Sequence, residues 1–574
     1  MSELTTFYID KSSGTFAEVL LAFGWMRVLS ELHSKQGTPG HIALKDDGMY
    51  YRITCAPISS ETVENLPQEP IWPGNMPLIV TAKNRESLPV GAPLSIDYEV
   101  EKEQVAAFFG AKNKAQNAEM TVAKPHPHWD IFRAINPGAL LGYNRILLDW
   151  WKVREQQPKI VSLLFQLFSS TPNDIASAVA TWKKIDNAAG WGIAPLSTGQ
   201  QLYNPDQGKG QNKTKANGIR IDNLDNFWLL ELLKIIGFYE AGQTRLIQGV
   251  KDRKSYVIVP RELTYSEHRD IFNTFSESMR VSTTSIKGDA MAALRYTEAL
   301  LTYFAEPTRQ ISIGKRGNLK KRLVAGLYAV FYKDLGNAVA TMNLAFIGLP
   351  GWIEIRTPED IRVYQAVVAE LVKLVQQFDE SHSDVVDLLQ ALRDFISGDS
   401  LDALFRFTRA FPVYYIGQRE RSKYVYALTE DTLERIITMT EPRFAEILED
   451  EGFQNIAYAI RRSTVSAQYQ KMQGNRKYEV RYGLGQELAR KSRYKADFIA
   501  ALSDFLFKFN AENAQVLETT KGERPPYRRS VQTGDIDSIV NLIDRFGAET
   551  VANLLIAYGY ARETRDTDSG ADDT

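Results

Sequence analysis

The chain has 574 residues, 44% of them hydrophobic and 24% charged, with a net charge of −2. That is ordinary globular composition, long enough for roughly three or four domains, and any nucleic-acid-binding surface must be local because the whole is not basic. A single cysteine, Cys55, excludes an internal disulfide and a thiolate zinc cluster. The N-terminus lacks a basic region followed by an apolar one, and no apolar run approaches the roughly 18 residues of a membrane helix. The expectation is a cytoplasmic chain with no membrane segment.

Residues 6–10 read as a short strand. A helix over 15–32 follows, capped by Ser12 or Ser13, with Phe16, Val19, Leu20, Phe23, Met26, Val28 and Leu29 at helical spacing. Strand-like runs at 41–44, 49–55, 77–81 and 94–100 are separated by Gly, Pro and Asp clusters, and antiparallel pairing is expected. Residues 101–141 form a polar segment carrying the basic, amide-rich patch Ala111–Asn117. Pro125-His-Pro-His-Trp-Asp130 follows. Helical stretches open at 146–151 and 160–168.

From Gly199 to Arg220 no apolar periodicity survives, so this is a long loop. It holds Lys209, Lys213, Lys215 and Arg220 against one acid, Asp206, among many Asn and Gln. Lysines suit a polyanion's backbone, and amides suit base edges in a groove. The bland alternative is a solvated insertion. A buried helix over 224–239 and a strand over 255–259 follow, and 271–304 reads as helix in pieces. A third basic cluster runs through Lys315, Arg316, Lys320 and Lys321.

Beyond Thr357 helical periodicity is nearly continuous, with helices marked by 361–375, 385–396 and 401–411. From Met439 onward everything reads as helix and connecting loop. Between Arg461 and Arg529 there are fifteen Lys and Arg against seven Asp and Glu. Arg461, Arg462, Arg490, Lys491, Arg493 and Lys495 fall in this stretch, with Tyr469, Tyr478, Tyr482 and Tyr494 interleaved. Cations between rings suit a single strand, where phosphates pair with the cations and bases stack. The alternative is a solvated helical face with core tyrosines.

Catalytic motifs do not assemble. His126 and His128 are close, but no third metal ligand is identifiable. Gly208-Lys209-Gly210 lacks the spacing of a P-loop, and His268-Arg269-Asp270 lacks the context of a kinase loop. Cys55 has no evident partner histidine. The chain reads as a binder with no cofactor and no metal. A site assembled from Asp130, Asp222 and Asp225 is the enzymatic alternative.

Val480-Arg-Tyr-Gly-Leu-Gly-Gln-Glu-Leu-Ala-Arg490, Phe498–Phe505, Phe509–Asn513 and Leu554–Arg562 resemble the C-terminal part of large subunits of type I CRISPR interference complexes. These are the Cascade large subunits of the Cas-eight group, with subtypes I-B and I-A most similar. Asn204–Lys215 resembles a segment of the same group. The likeness covers scattered blocks.

The resemblance implies a non-catalytic subunit of a crRNA-guided surveillance complex. Such a subunit contacts crRNA and the Cascade backbone and small subunits, recognises the protospacer-adjacent motif (PAM) in double-stranded target DNA, supports R-loop formation, and recruits a separate helicase–nuclease. It also implies an α+β fold: a mixed α/β region over 1–355 for guide, neighbours and PAM duplex, a helical connection over 356–438, and a small-subunit-like bundle over 439–574. In some subtypes that bundle is also made alone from an internal start, for which Met439 and then Met342 are the candidates. Loop chemistry nominates Asn113, Lys114, Gln116, Asn117, Gln207, Lys209, Asn212, Lys213 and Lys215 for DNA or PAM contact. The clusters at 315–321 and 461–495 are the further nucleic-acid candidates. A stand-alone nucleic-acid-binding scaffold of another defence or repair system is the competing reading.

Overall fold

The computed structural model describes residues 5–38, 40–66, 76–82, 84–85, 94–114, 123–135, 140–198, 200–205, 225–247, 251–279, 286–310, 322–335, 339–519 and 528–563. The chain is mixed α and β in its N-terminal half and mainly helical after it. It forms two compact units, one of residues 1–284 and 316–347, the other of residues 285–315 and 348–574.

The first unit is built on a helix pair, Ala17–Gln36 and Trp228–Ala241. Both are apolar on nearly every side, as a helix covered all round must be. They cross at reciprocal glycines. A Cβ on Gly24 would lie 1.9 Å from the Leu233 carbonyl oxygen, and one on Gly237 would lie 1.8 Å from that of Leu20. The first helix begins later than expected, at Ala17, and Ser13 instead bonds Glu18 through its backbone N–H (2.9 Å) and its hydroxyl (2.7 Å). It ends at Gly37, whose φ of 71° is left-handed.

Two four-stranded antiparallel sheets accompany the pair. One runs in the order Thr5–Asp10, Tyr50–Cys55, Ala43–Asp46, Glu262–Thr264. The other runs Val339–Gly348, Val324–Asp334, Arg253–Pro260, Gly242–Leu246. Antiparallel pairing therefore holds for the strands at 5–10, 43–46 and 50–55. It fails for Leu78–Val80 and Ser95–Asp97, which pair in parallel. The strand expected over 94–100 is confined to Ser95–Asp97, and Tyr98–Lys114 is a helix, consistent with the helix propensity of its Glu, Lys and Ala residues.

The second unit is helical. Ile286–Ala305 packs on Pro358–Gln376 and Ser383–Gly398, and the latter packs on Leu401–Glu420. Pro358–Gln376 opens on a capping box, Thr357 with Asp360, and a proline in its first turn. Glu451–Ser463 packs on Thr533–Phe546 and Ala548–Gly559, while Leu484–Lys491 lies against Leu401–Glu420, Lys495–Thr519 and Ala548–Gly559. The helices carrying the resembling C-terminal blocks, Leu484–Lys491, Lys495–Thr519 and Ala548–Gly559, are thus neighbours. Gly485, within the first of them, sits where an added Cβ would be 3.2 Å from both Pro412 Cγ and the Tyr560 ring. Among the described residues no helix is long and apolar enough to cross a membrane.

Candidate nucleic-acid interface

The root of the 199–220 loop is tightly held. Asn204 is buried with Glu231 and Lys234, both on the central helix Trp228–Ala241. Asn204 Nδ2 donates to Glu231 Oε2 (2.8 Å), and Lys234 Nζ donates to Asn204 Oδ1 (2.5 Å) and pairs with Glu231 Oε1 (3.0 Å). Each buried charge therefore has an opposite charge and an amide partner, the condition for tolerating it inside a protein. The Tyr332 hydroxyl donates to the Gln201 carbonyl (2.9 Å), which fixes the backbone just before Asn204.

Gln207, Lys209, Asn212, Lys213 and Lys215 lie outside the described residues, as do Gln116, Asn117, Lys315, Arg316, Lys320 and Lys321. Asn113 and Lys114 end the helix Tyr98–Lys114. The geometry of the candidate interface therefore comes from the C-terminal set, and it divides that set sharply.

Arg461 is placed inside the bundle, not on its face. It is 5% exposed. Its guanidinium pairs with Glu430 and with Glu563 (3.2 Å) and donates to the Tyr558 carbonyl (2.8 Å). It ties the end of Glu451–Ser463 to two other segments and has no face left for a phosphate. Arg462 is half-buried, paired with Glu563 (3.3 Å), with its guanidinium 4.9 Å from the Tyr458 ring centroid. Lys495 pairs with Asp544, and Lys491 lies 3.9 Å from Asp497. Arg490 and Arg493 are exposed, and among the described residues no carboxylate comes within ion-pair distance of either.

The tyrosines divide in the same way. Tyr478 is a core residue: it is buried, with the Arg528 guanidinium 3.2 Å above its ring, and burial pushes its hydroxyl above the ordinary range. Tyr469 and Tyr482 are each 49% exposed, and Tyr494 is 71% exposed. Tyr469 lies 5.8 Å from the Arg419 guanidinium. Lys471 Nζ donates to the Tyr482 hydroxyl (2.7 Å). Tyr482 precedes Gly483, whose φ of 74° turns the chain into Leu484–Lys491. Arg490 stands on the outer face of that helix, roughly 9 Å along from its start at about 1.5 Å per residue.

Residues 419–424 extend this surface. Arg419, Arg421, Lys423 and Tyr424 follow one another at and just beyond the end of Leu401–Glu420, and all but Arg419 are exposed. Sequence reasoning passed over them because the helical periodicity before them drew the attention. The alternation Arg-Glu-Arg-Ser-Lys-Tyr was the signal that could have found them. Cations without carboxylate partners beside half-exposed rings can bind phosphates and stack bases, with no chemistry of bond breaking.

The other reactive groups sit apart. His268 is buried within the helix Tyr265–Met279, donating from Nε2 to the Glu240 carbonyl (2.9 Å) and lying against Phe23. Burial lowers its pKa from the usual 6.5 to about 4, so it is a neutral core imidazole. The Cys55 thiol is buried and its pKa is pushed up to about 12. His126 Nδ1 accepts the His128 backbone N–H (3.1 Å), and no three His, Cys, Asp or Glu side chains converge among the described residues. Asp130 pairs with Arg133 and Arg245. No family model matches the chain, and no curated protein matches it.

Proposed function

We propose that the protein is a non-catalytic nucleic-acid-binding subunit of a crRNA-guided DNA surveillance complex, with its helical unit holding a single strand. The observation that carries this reading is the set of exposed residues Tyr469, Lys471, Tyr482, Arg490, Arg493 and Tyr494, with half-buried Arg419 beside Tyr469, on three segments of one unit. The resemblance of the Val480–Arg490, Phe498–Asn513 and Leu554–Arg562 blocks supports the guided setting. The basic loops supply the duplex and PAM contacts in that reading, and a separate helicase–nuclease supplies cleavage.

The test is affinity capture of the tagged chain from its native cells, with sequencing of the bound RNA. Short RNAs of repeat–spacer form are expected. Capture without RNA would refute the guided assignment. A stand-alone binder is favoured by one observation, that the cation–ring face is complete within a single unit. Equal affinity for single-stranded DNA with and without guide and partners would select that reading. Metal-dependent DNA cleavage by the purified chain would defeat both.

A further inference from the structure

The first unit holds a cavity whose chemistry does not rest on the proposed function. The helix Trp129–Ile135 packs on the strand Gly242–Leu246, and a cavity of about 270 Å³ opens beside them. Its lining includes three aromatic side chains, Phe108, Phe109 and Trp129. Trp129 is held by Tyr98, stacked at 5.1 Å, and Phe108 and Phe109 stand edge to face at 5.4 Å. It also includes three cations, Lys124, Arg133 and Arg245. Arg245 is buried and its guanidinium is fixed on Asp130 Oδ2, while Arg133 lies 3.4 Å from Oδ1 of the same carboxylate.

One carboxylate thus serves two guanidiniums. With Glu277 and Lys124 at the wall, the described lining carries three cations, Lys124, Arg133 and Arg245, and two acids, Asp130 and Glu277. His126, also in the wall, does not change that count. Burial lowers its pKa, and its Nδ1 accepts from the backbone, which leaves Nε2 as a hydrogen-bond donor.

A neighbouring cavity of about 190 Å³ shares Pro127, Asp130 and Glu277 with the first. It adds Gln243 and Asn273, with Ser276 Oγ donating to Gln243 Oε1 (2.6 Å). Rings that can face a flat group, a guanidinium held rigid by a carboxylate, and amides in the adjoining cavity are the parts that recognise a base joined to a phosphate. The first cavity alone, about 270 Å³, falls just below the usual ligand-site volumes of about 300–1,000 Å³, so it takes one such unit and not a strand.

We propose that this cavity binds a single nucleotide, its base against Phe108, Phe109 and Trp129 and its phosphate at Arg133, Arg245 and Lys124. The nucleotide is either free or the phosphorylated end of a strand.

Titration calorimetry on the full chain tests this with AMP and UMP, and with a 5′-phosphorylated trinucleotide. The controls are adenosine, inorganic phosphate and the unphosphorylated trinucleotide. Saturable nucleotide binding is expected, about tenfold or more above adenosine and above phosphate alone. Arg133→Ala and Phe109→Ala, both at partly exposed positions, are each expected to weaken it about tenfold with an unchanged melting temperature. Lys495→Ala, in the other unit, is expected to leave it unchanged. Tighter binding of the phosphorylated trinucleotide than of AMP assigns the site to a strand end, and the reverse order assigns it to a free nucleotide. Absence of saturable binding at millimolar nucleotide overturns the proposal, as does binding insensitive to Arg133→Ala and Phe109→Ala. RNA capture can fail while this titration succeeds, so the two conclusions fall separately.

Discussion

Arg490 and Arg493 are the cations best placed to hold a phosphate backbone, and their removal is the most informative perturbation. Both are exposed and without a carboxylate partner among the described residues, whereas Lys491 and Lys495 face Asp497 and Asp544. Each phosphate contact on a single strand contributes about 0.7 to the slope of log affinity against log salt. The double variant Arg490→Ala/Arg493→Ala should therefore flatten the slope by about 1.4. Between 50 and 200 mM salt, the wild type should lose about sevenfold more affinity than the variant does. Lys491→Ala/Lys495→Ala removes the same formal charge from the same short stretch. Its effect should be smaller, because those ammonium groups already have carboxylate neighbours. Fluorescence anisotropy with a labelled single-stranded oligonucleotide over a salt series reads both slopes. An unchanged slope for the arginine pair, or a larger change for the lysine pair, would refute the assignment of this face.

Three further outcomes test the frame that carries the sites. Gly237→Ala places a methyl group 1.8 Å from the Leu20 carbonyl oxygen, so the two central helices must separate. Denaturant titration should show a loss of about 1–3 kcal/mol or more, and an unchanged midpoint would mean that the crossing is looser than drawn. Lys234→Met leaves Glu231 buried and uncompensated, at a cost of about 3–5 kcal/mol, and adding Glu231→Leu should recover part of it. No recovery in the double variant would mean that the charges are not coupled. His268 gives a pH dependence. Its pKa is about 4 in the fold against the usual 6.5, so as pH falls below 6.5 the unfolded chain takes up the proton first. Stability is therefore lost between pH 6.5 and 4, by about 3 kcal/mol from this residue. The difference between wild type and His268→Gln should change across that window, and a constant difference would contradict the buried, neutral imidazole.

Periodicity made the helices legible. The apolar spacing at 361–375, 385–396 and 401–411 marks helices that the structure extends by only a few residues, except for the last. That one continues through Pro412 to Glu420, carried past the proline by burial of Phe411, Pro412 and Tyr415. The strands Val324–Asp334 and Val339–Gly348 went unseen. The first is covered on both faces along much of its length, which erases the alternation that announces a half-buried strand.

Charge was legible as a local excess, but its direction was not. Arg461 and Arg490 look alike in sequence. One pairs with Glu430 and Glu563, the second of them about a hundred residues away, and the other faces solvent. Tyr478 and Tyr482 part in the same way, because Arg528 returns from a distant segment to cover the first. The pocket around Arg245 was also beyond sequence reach. Its aromatic, cationic and amide residues come from segments separated by more than a hundred residues, and only the short Pro125–Asp130 motif stands out in the sequence.

The central claim is that a single strand lies on the face formed by residues 419–424, 469–482 and 490–494. Photo-crosslinking of the full chain to a single-stranded oligonucleotide carrying 4-thiothymidine, with the adducts mapped by mass spectrometry, addresses it directly. Adducts at Tyr469, Tyr482 and Tyr494 are expected, weakened when Arg490 and Arg493 are alanine. Adducts confined to residues outside that face, unchanged in the arginine variant, would contradict it.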